Sequence, residues 1–164
     1  MHDFLKAGLY LFVVLVLIGC QEIEQTTSSE TVNNGSSFAF SNEEKPPALT
    51  FLVGETQMKT YRGIYNWSYQ DKSTGEIVAI KTESLPPFEM VNIKDGDTLN
   101  LSESIHLNFD VTPNEYELRV WDNQTTLSTY TSFDEIKERG NYILEIVGYW
   151  DEGRATYVVA VDFQ

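Results

Sequence analysis

Asn141-Tyr142-Ile143-Leu144-Glu145-Ile146-Val147-Gly148-Tyr149 and Thr156-Tyr157-Val158-Val159-Ala160-Val161-Asp162-Phe163, joined by Trp150-Asp151-Glu152-Gly153-Arg154, are the stretch that decides the fold. Both arms are rich in β-branched and aromatic residues, the side chains that fit a pleated surface. The five joining residues include Asp and Gly, which favour turns. The pattern predicts a long hairpin at the spine of an all-β domain.

Outward from this hairpin the same texture reaches back to Ala48. Ala48 to Val53 reads as a strand, Gly54-Glu55 as a turn into Gln57 to Tyr61, and Ile64 to Tyr69 as a further strand before the loop Asp71 to Gly75. Ile77 to Lys81 is a short strand, and Pro86-Pro87 starts an edge segment because proline cannot donate to a ladder. Lys94-Asp95-Gly96-Asp97 reads as a turn whose Asp-Gly pair supplies positive φ. Thr98 to Leu101, Ile105 to Val111 and Tyr116 to Trp121 continue the pattern, with Pro113-Asn114 as a turn. Alternation places Ile105, Leu107, Phe109 and Val111 inside and His106, Asn108 and Asp110 outside.

A single short helix is expected. Ser132-Phe133-Asp134-Glu135 has capping-box spacing, Lys137 and Arg139 fall in the last turn, and Gly140 closes it. Eight to ten short strands at this spacing predict an antiparallel β-sandwich over residues 48–164, with a small barrel as the competing architecture. Gly140-Asn141-Tyr142, entering a long strand, resembles the tyrosine corner of immunoglobulin-like domains, so the sandwich is expected to be immunoglobulin-like.

Residues 20–47 differ in kind. They are rich in Ser, Thr, Asn, Glu and Gln, with Phe38-Ala39-Phe40 as the one apolar island available to dock on the domain and Pro46-Pro47 as the border. Too little apolar surface is present to offset ordering entropy, so a disordered tether is expected. Its mean reach is about 30 Å by random-coil scaling.

Before the tether, Lys6 precedes an apolar run from Ala7 to Ile18, too short to span a ~30 Å hydrocarbon core and of the length of a secretory apolar region. Asp3 opposes Lys6, so the charged start is thin. Leu17-Ile18-Gly19-Cys20 resembles the lipobox of bacterial lipoproteins. That resemblance implies that residues 1–19 are a signal peptide, that the Cys20 sulfur carries a diacylglyceryl group, and that the outer face of the cell membrane is the address. Cys20 is the only cysteine in the chain, so no internal disulfide can form and the thiol needs another purpose. Two or three acyl chains, at ~0.8 kcal/mol per buried methylene, hold a protein stably on a bilayer.

Twenty-five acidic against eleven basic residues give a net charge of −14. Nucleic-acid binding needs a basic footprint and is excluded as a function class. An acidic surface keeps an exported protein soluble. A cationic protein partner or cell-wall cations are the sharper alternative.

The chain resembles the small uncharacterised lipoproteins of Bacillus-type bacteria, which pair a lipobox with one β-domain. The resemblance rests on Gly63-Ile64-Tyr65-Asn66-Trp67, Gly140-Asn141-Tyr142 and Tyr149 to Tyr157, and covers residues 46–164. It implies no activity. Related proteins often carry cysteines after the Tyr-x-Trp region, and this chain does not.

No catalytic constellation stands out. His106 is the single histidine beyond the leader, on an outer strand face, with no Gly-x-Ser-x-Gly elbow to serve. Zinc would need several His or Cys ligands. Asp95-x-Asp97 and Asp151-Glu152 offer hard oxygens for calcium but lack a fuller ligand run, and no cofactor is expected. Carboxylates are too many to choose a hydrolytic pair from sequence. Asn34, Asn66, Asn100 and Asn123 match the glycosylation sequon, which carries no meaning in a bacterial lipoprotein.

Tyr65, Trp67 and Tyr69 share one strand face and are assigned to the core. Among aromatic residues, Trp150 at the hairpin end, beside Asp151 and Arg154, is the best exposed candidate for binding, with packing the favoured role even so. The expected function is a non-enzymatic binding or structural module of a Gram-positive envelope. The alternatives are an inhibitor or regulator of an extracytoplasmic enzyme, acting by an edge strand or the Trp150 loop, and a carboxylate-based hydrolase.

Overall fold

A computed structural model describes residues 40–164; Cys20 and the whole of residues 1–39 lie outside the described residues. Ten strands run in order: β1 (Leu49–Val53), β2 (Thr56–Met58), β3 (Tyr61–Gln70), β4 (Ile77–Lys81), β5 (Asp97–Leu99), β6 (Ile105–Phe109), β7 (Glu115–Trp121), β8 (Thr126–Tyr130), β9 (Gly140–Trp150) and β10 (Gly153–Phe163). The closing hairpin is longer and tighter than its sequence suggests. β9 and β10 pair from Trp150 opposite Gly153 to Gly140 opposite Phe163, leaving only Asp151-Glu152 as the turn. The left-handed step falls on Gly153, at φ +147, so Asp151 and Glu152 need no strained backbone.

The other strands add to this spine. One sheet runs β4-β3-β10-β9-β7-β8, with β5 also pairing with β10, and a smaller sheet runs β2-β1-β6. All pairs are antiparallel except β5 with β10. The two sheets close on one apolar core, which makes the domain an antiparallel β-sandwich. Leu144, Ile146, Tyr157, Val159 and Phe163 of the large sheet share that core with Phe51, Val53 and Met58 of the small one. Phe109 ties the layers, edge-on to Trp150 at 5.5 Å and to Tyr157 at 5.6 Å. Each large apolar side chain so buried stabilises by roughly 1.5–3 kcal/mol, so the fold stands without a disulfide. Trp67 and Tyr69 are buried with it and Tyr65 packs against it. In β6 the alternation is as expected, with His106 and Asn108 exposed, but Val111 lies past the strand end and is 59% exposed.

Four local expectations are corrected. The one α-helix among the described residues is α1 (Pro87–Met90), started by the proline pair expected to begin an edge segment. Ser132 to Glu135 does form its capping box, but only a 3-10 turn results, because Ile136 is drawn into the core. At Lys94 to Asp97, Ile93–Asp95 forms a second 3-10 turn and Gly96 has φ −66. Gly96 is required there by proximity: a Cβ would sit 2.6 Å from the Val161 carbonyl carbon. In place of a tyrosine corner at Tyr142, which tilts against Phe163, the Tyr157 hydroxyl donates to the Pro47 carbonyl.

That last bond also moves the domain border. Residues 41–47, tether by composition, lie on the sandwich. The Ser41 amide donates to Glu152, the Trp67 indole donates to the Glu43 carbonyl, and Pro46 is buried. Their partners lie tens to a hundred residues away, which local composition cannot reveal.

Candidate functional site

Strand periodicity divides the central hairpin into two faces, and both are covered. Leu144, Ile146, Gly148 and Trp150 point into the sandwich. Ile143, Glu145 and Val147 of β9 and Thr156 and Val158 of β10 point the other way, yet are also buried. A strap formed by residues 84–90, including α1, passes over this outer face. Between strap and sheet lies a cleft of about 370 Å³, bordered by Leu85, Pro86, Met90, Val147 and Val158, with Trp121, Arg119, Glu145 and Arg154 as its polar groups. A larger depression of about 510 Å³, between residues 42–45 and 71–73, is lined mostly by exposed polar and charged residues, with Tyr69 as its one aromatic side chain and no aliphatic one. The smaller, mostly aliphatic cleft is the better ligand site.

Glu145 is the chemical centre of the cleft floor. It interrupts the apolar run Ile143-Leu144-Glu145-Ile146-Val147, and a buried carboxylate needs partners. The register supplies them: Arg119 of β7 stands opposite Glu145, and Trp121 comes next on the same face. The Trp121 indole donates to Glu145 Oε2 at 3.1 Å, and an Arg119 Nη atom lies 3.7 Å from the same oxygen. Arg119 also donates twice to Glu117 Oε2, at 3.1 and 2.7 Å, and once to the Tyr149 hydroxyl at 3.4 Å. Burial pushes the Glu145 carboxyl above its usual range, only partly countered by Arg119, the Trp121 bond and the more distant charge of Arg154. For Arg119, burial acts against the charge, but the Glu117 hydrogen bonds and the two carboxylates outweigh it and its pKa rises. The guanidinium therefore stays charged between the two acids.

Arg154 differs from Arg119. It stands on the same outer face, opposite Tyr149 on one side and Asn66 on the other. It is exposed at the mouth of the cleft, and among the described residues its guanidinium makes no ion pair and no hydrogen bond. Ile64 and Leu85, exposed at 39% and 58%, flank the same mouth.

The three binding residues expected from sequence do not form one surface. Trp150 is 7% exposed, packs edge-on against Trp67 at 5.7 Å, and donates its indole N–H to the Val111 carbonyl at 2.9 Å. Trp150 is a core residue, which corrects the expectation that it is exposed. Asp151 is exposed at the turn and accepts from Asn114 Nδ2 at 2.8 Å. Only Arg154 belongs to the cleft. Cys20 lies outside the described residues.

The remaining candidates are engaged locally or stand apart. Asp95 accepts from Asn92 and Glu152 from the Ser41 amide. Among the described residues, no group of three His, Cys, Asp or Glu side chains is placed to hold a metal. His106 is exposed opposite Leu52 on the small sheet, away from the cleft. Glu117 and Glu145 both pair with the Arg119 guanidinium, at 2.7 and 3.7 Å. No known family, curated protein or solved structure matches the chain.

Proposed function

We propose that the protein is a lipid-anchored module on the outer face of a Gram-positive cell membrane, held through Cys20 and acting by non-enzymatic binding at the cleft under the 84–90 strap. The anchor rests on Leu17-Ile18-Gly19-Cys20, on the sole cysteine, and on the resemblance to small Bacillus-type lipoproteins. The binding role rests on one observation: an aliphatic cleft carries at its mouth a guanidinium without a partner among the described residues. Arginine is the residue best shaped to grip a planar anion, and leaving it unengaged on a chain with many spare carboxylates favours an external ligand.

The second reading, an inhibitor or regulator of an extracytoplasmic enzyme, keeps support only in its edge-strand form, since the Trp150 loop is packed. Edge strands β4 and β8 expose Ile77 and Leu127, each at 50%, and an open edge can accept a partner strand. Photo-crosslinking residues placed at Leu85, Ile77 and Leu127 in living cells separate the readings. Adducts confined to Leu85 support the cleft; adducts at Ile77 or Leu127 that contain an enzyme support inhibition and sink the cleft reading. Cys20→Ser should abolish fatty-acid labelling and release the protein from the membrane fraction. Continued labelling of that variant would refute the anchor.

A further inference from the structure

The cleft has a chemistry that narrows its ligand, granted the reading of it as a binding site. Its walls are aliphatic: Ile64, Leu85, Pro86, Met90, Val147 and Val158. Methionine adapts its shape to a flexible guest. A volume of about 370 Å³ falls at the small end of the roughly 300–1,000 Å³ of small-molecule sites. The charges are equally selective. Arg119 is held by Glu117 and Glu145 and has little left to give. Arg154 makes no ion pair or hydrogen bond among the described residues, and along its row of the sheet the register places Asn66 and then Lys81 on one side and Tyr149 and then Glu115 on the other. Two strand spacings separate Lys81 from Arg154, ~10 Å. The rim of the mouth thus carries one guanidinium that is unpaired among the described residues, on a chain of net charge −14. Such a chain repels polyanions at long range, so the rim suits a single negative charge whose affinity comes mainly from an apolar body.

We infer that the cleft binds an aliphatic monocarboxylate, with the alkyl chain lying between Met90, Pro86 and Val158 and the carboxylate meeting the Arg154 guanidinium. The planar fork of arginine matches a carboxylate through two parallel hydrogen bonds. A dianionic phosphate on the same chain would meet twice the long-range repulsion. An alkyl alcohol would keep the apolar contacts and lose the anion seat.

The chain has three methionines, Met1, Met58 and Met90, and this gives a site-resolved test. The full chain is labelled with 13C-methyl methionine and placed in lipid nanodiscs, which accommodate its apolar leader. It is then titrated with sodium octanoate, octanol and octyl phosphate. Met90 lines the cleft, whereas Met58 is buried in the sandwich core at 1% exposure and serves as the internal control. Octanoate should shift the Met90 methyl signal to saturation and leave Met58 unmoved. Arg154→Ala, an exposed change that spares the core, should weaken octanoate about tenfold to a hundredfold, the loss expected for one charge-assisted pair. Arg154→Lys should fall in between, and octanol should bind wild type and Arg154→Ala alike. Partition into the lipid is common to both proteins and cancels in the comparison.

No Met90 response to octanoate, or equal octanoate affinity in Arg154→Ala, overturns the inference. Octyl phosphate binding more tightly than octanoate overturns the carboxylate assignment. Crosslinking at Leu85 in cells together with a silent Met90 titration would leave the binding reading standing and remove only this ligand class.

Discussion

Replacing Trp150 by alanine separates a packing role from a binding role, and the structure fixes the expected size of the effect. The indole touches two aromatic neighbours edge-on, Trp67 at 5.7 Å and Phe109 at 5.5 Å. It covers Gly148, whose absent Cβ would lie 2.4 Å from the ring, and its N–H satisfies the Val111 carbonyl. Truncating a buried Trp to Ala costs about 3–5 kcal/mol through lost transfer and cavity terms. The hydrogen bond contributes about 1 kcal/mol of this scale. Urea unfolding followed by far-UV circular dichroism should show a much lower midpoint for Trp150→Ala with an unchanged denaturant slope. Gly148→Ala alone should cost about 1–3 kcal/mol by overpacking. With the indole gone that clash vanishes, so Gly148→Ala should cost far less in the Trp150→Ala background; the two changes couple because they share one contact. A loss under about 1 kcal/mol for Trp150→Ala, set against the scale for buried aromatics, or strict additivity of the pair, would refute the assignment of Trp150 to the core.

Two further predictions test the outer face and the parallel strand. Glu145 has its folded pKa raised, chiefly by burial; its contribution is therefore fully present below the unfolded Glu value of about 4.3 and lost as pH rises through the folded value. Wild type should lose stability relative to Glu145→Gln as pH is raised from 4 to 8 in urea titrations, and a relative gain over that window would overturn the burial of this carboxyl. Gly96→Ala and Gly96→Asn should each cost about 1–3 kcal/mol by overpacking against the Val161 backbone 2.6 Å away. Asn readily occupies a left-handed turn, so tolerance of Asn but not of Ala in thermal unfolding would show that positive φ, not close approach, selects glycine here.

Much of the fold is legible in sequence because its strands announce themselves locally. β1, β4 and β7 appear within a residue or so of their expected ends, since β-branched and aromatic runs between turn formers carry the signal. Sequence alone misplaces Trp150 because hairpin ends are usually wet. Period two counted from Leu144 and Ile146 through Gly148 puts it inside only once β9 is known to run that far. Residues 41–47 read as tether because their partners, Trp67, Glu152 and Tyr157, are remote in sequence. The capping box at Ser132 is a true local signal, but it sets only the first turn, and burial of Ile136 turns the chain away before a second can form. The Arg119–Glu145 pair leaves one cue in the sequence: a glutamate inside an otherwise unbroken apolar run.

That same run explains why a cleft exists at all. A sandwich strand with one wet face should alternate polar and apolar, whereas strands covered on both faces read as continuous apolar stretches. Ile143 to Val147 and Tyr157 to Val161 are nearly continuous, so the hairpin demands cover on its outer side as well as its inner one. The small sheet covers the inner face. The outer face is left to the 84–90 strap, whose Pro86 and Pro87 prevent it from joining the ladder as another strand. A strap that bridges a sheet without pairing to it cannot track every side chain beneath it, and the unfilled space becomes the cleft. Glu145 then cannot face water, and Arg119 and Trp121 are the two neighbours in register that can satisfy it. The charged residue left over is Arg154, one strand further across the sheet at the mouth, where the strap ends its cover. Occupancy of that guanidinium by an external anion is thus the consequence on which the functional reading turns.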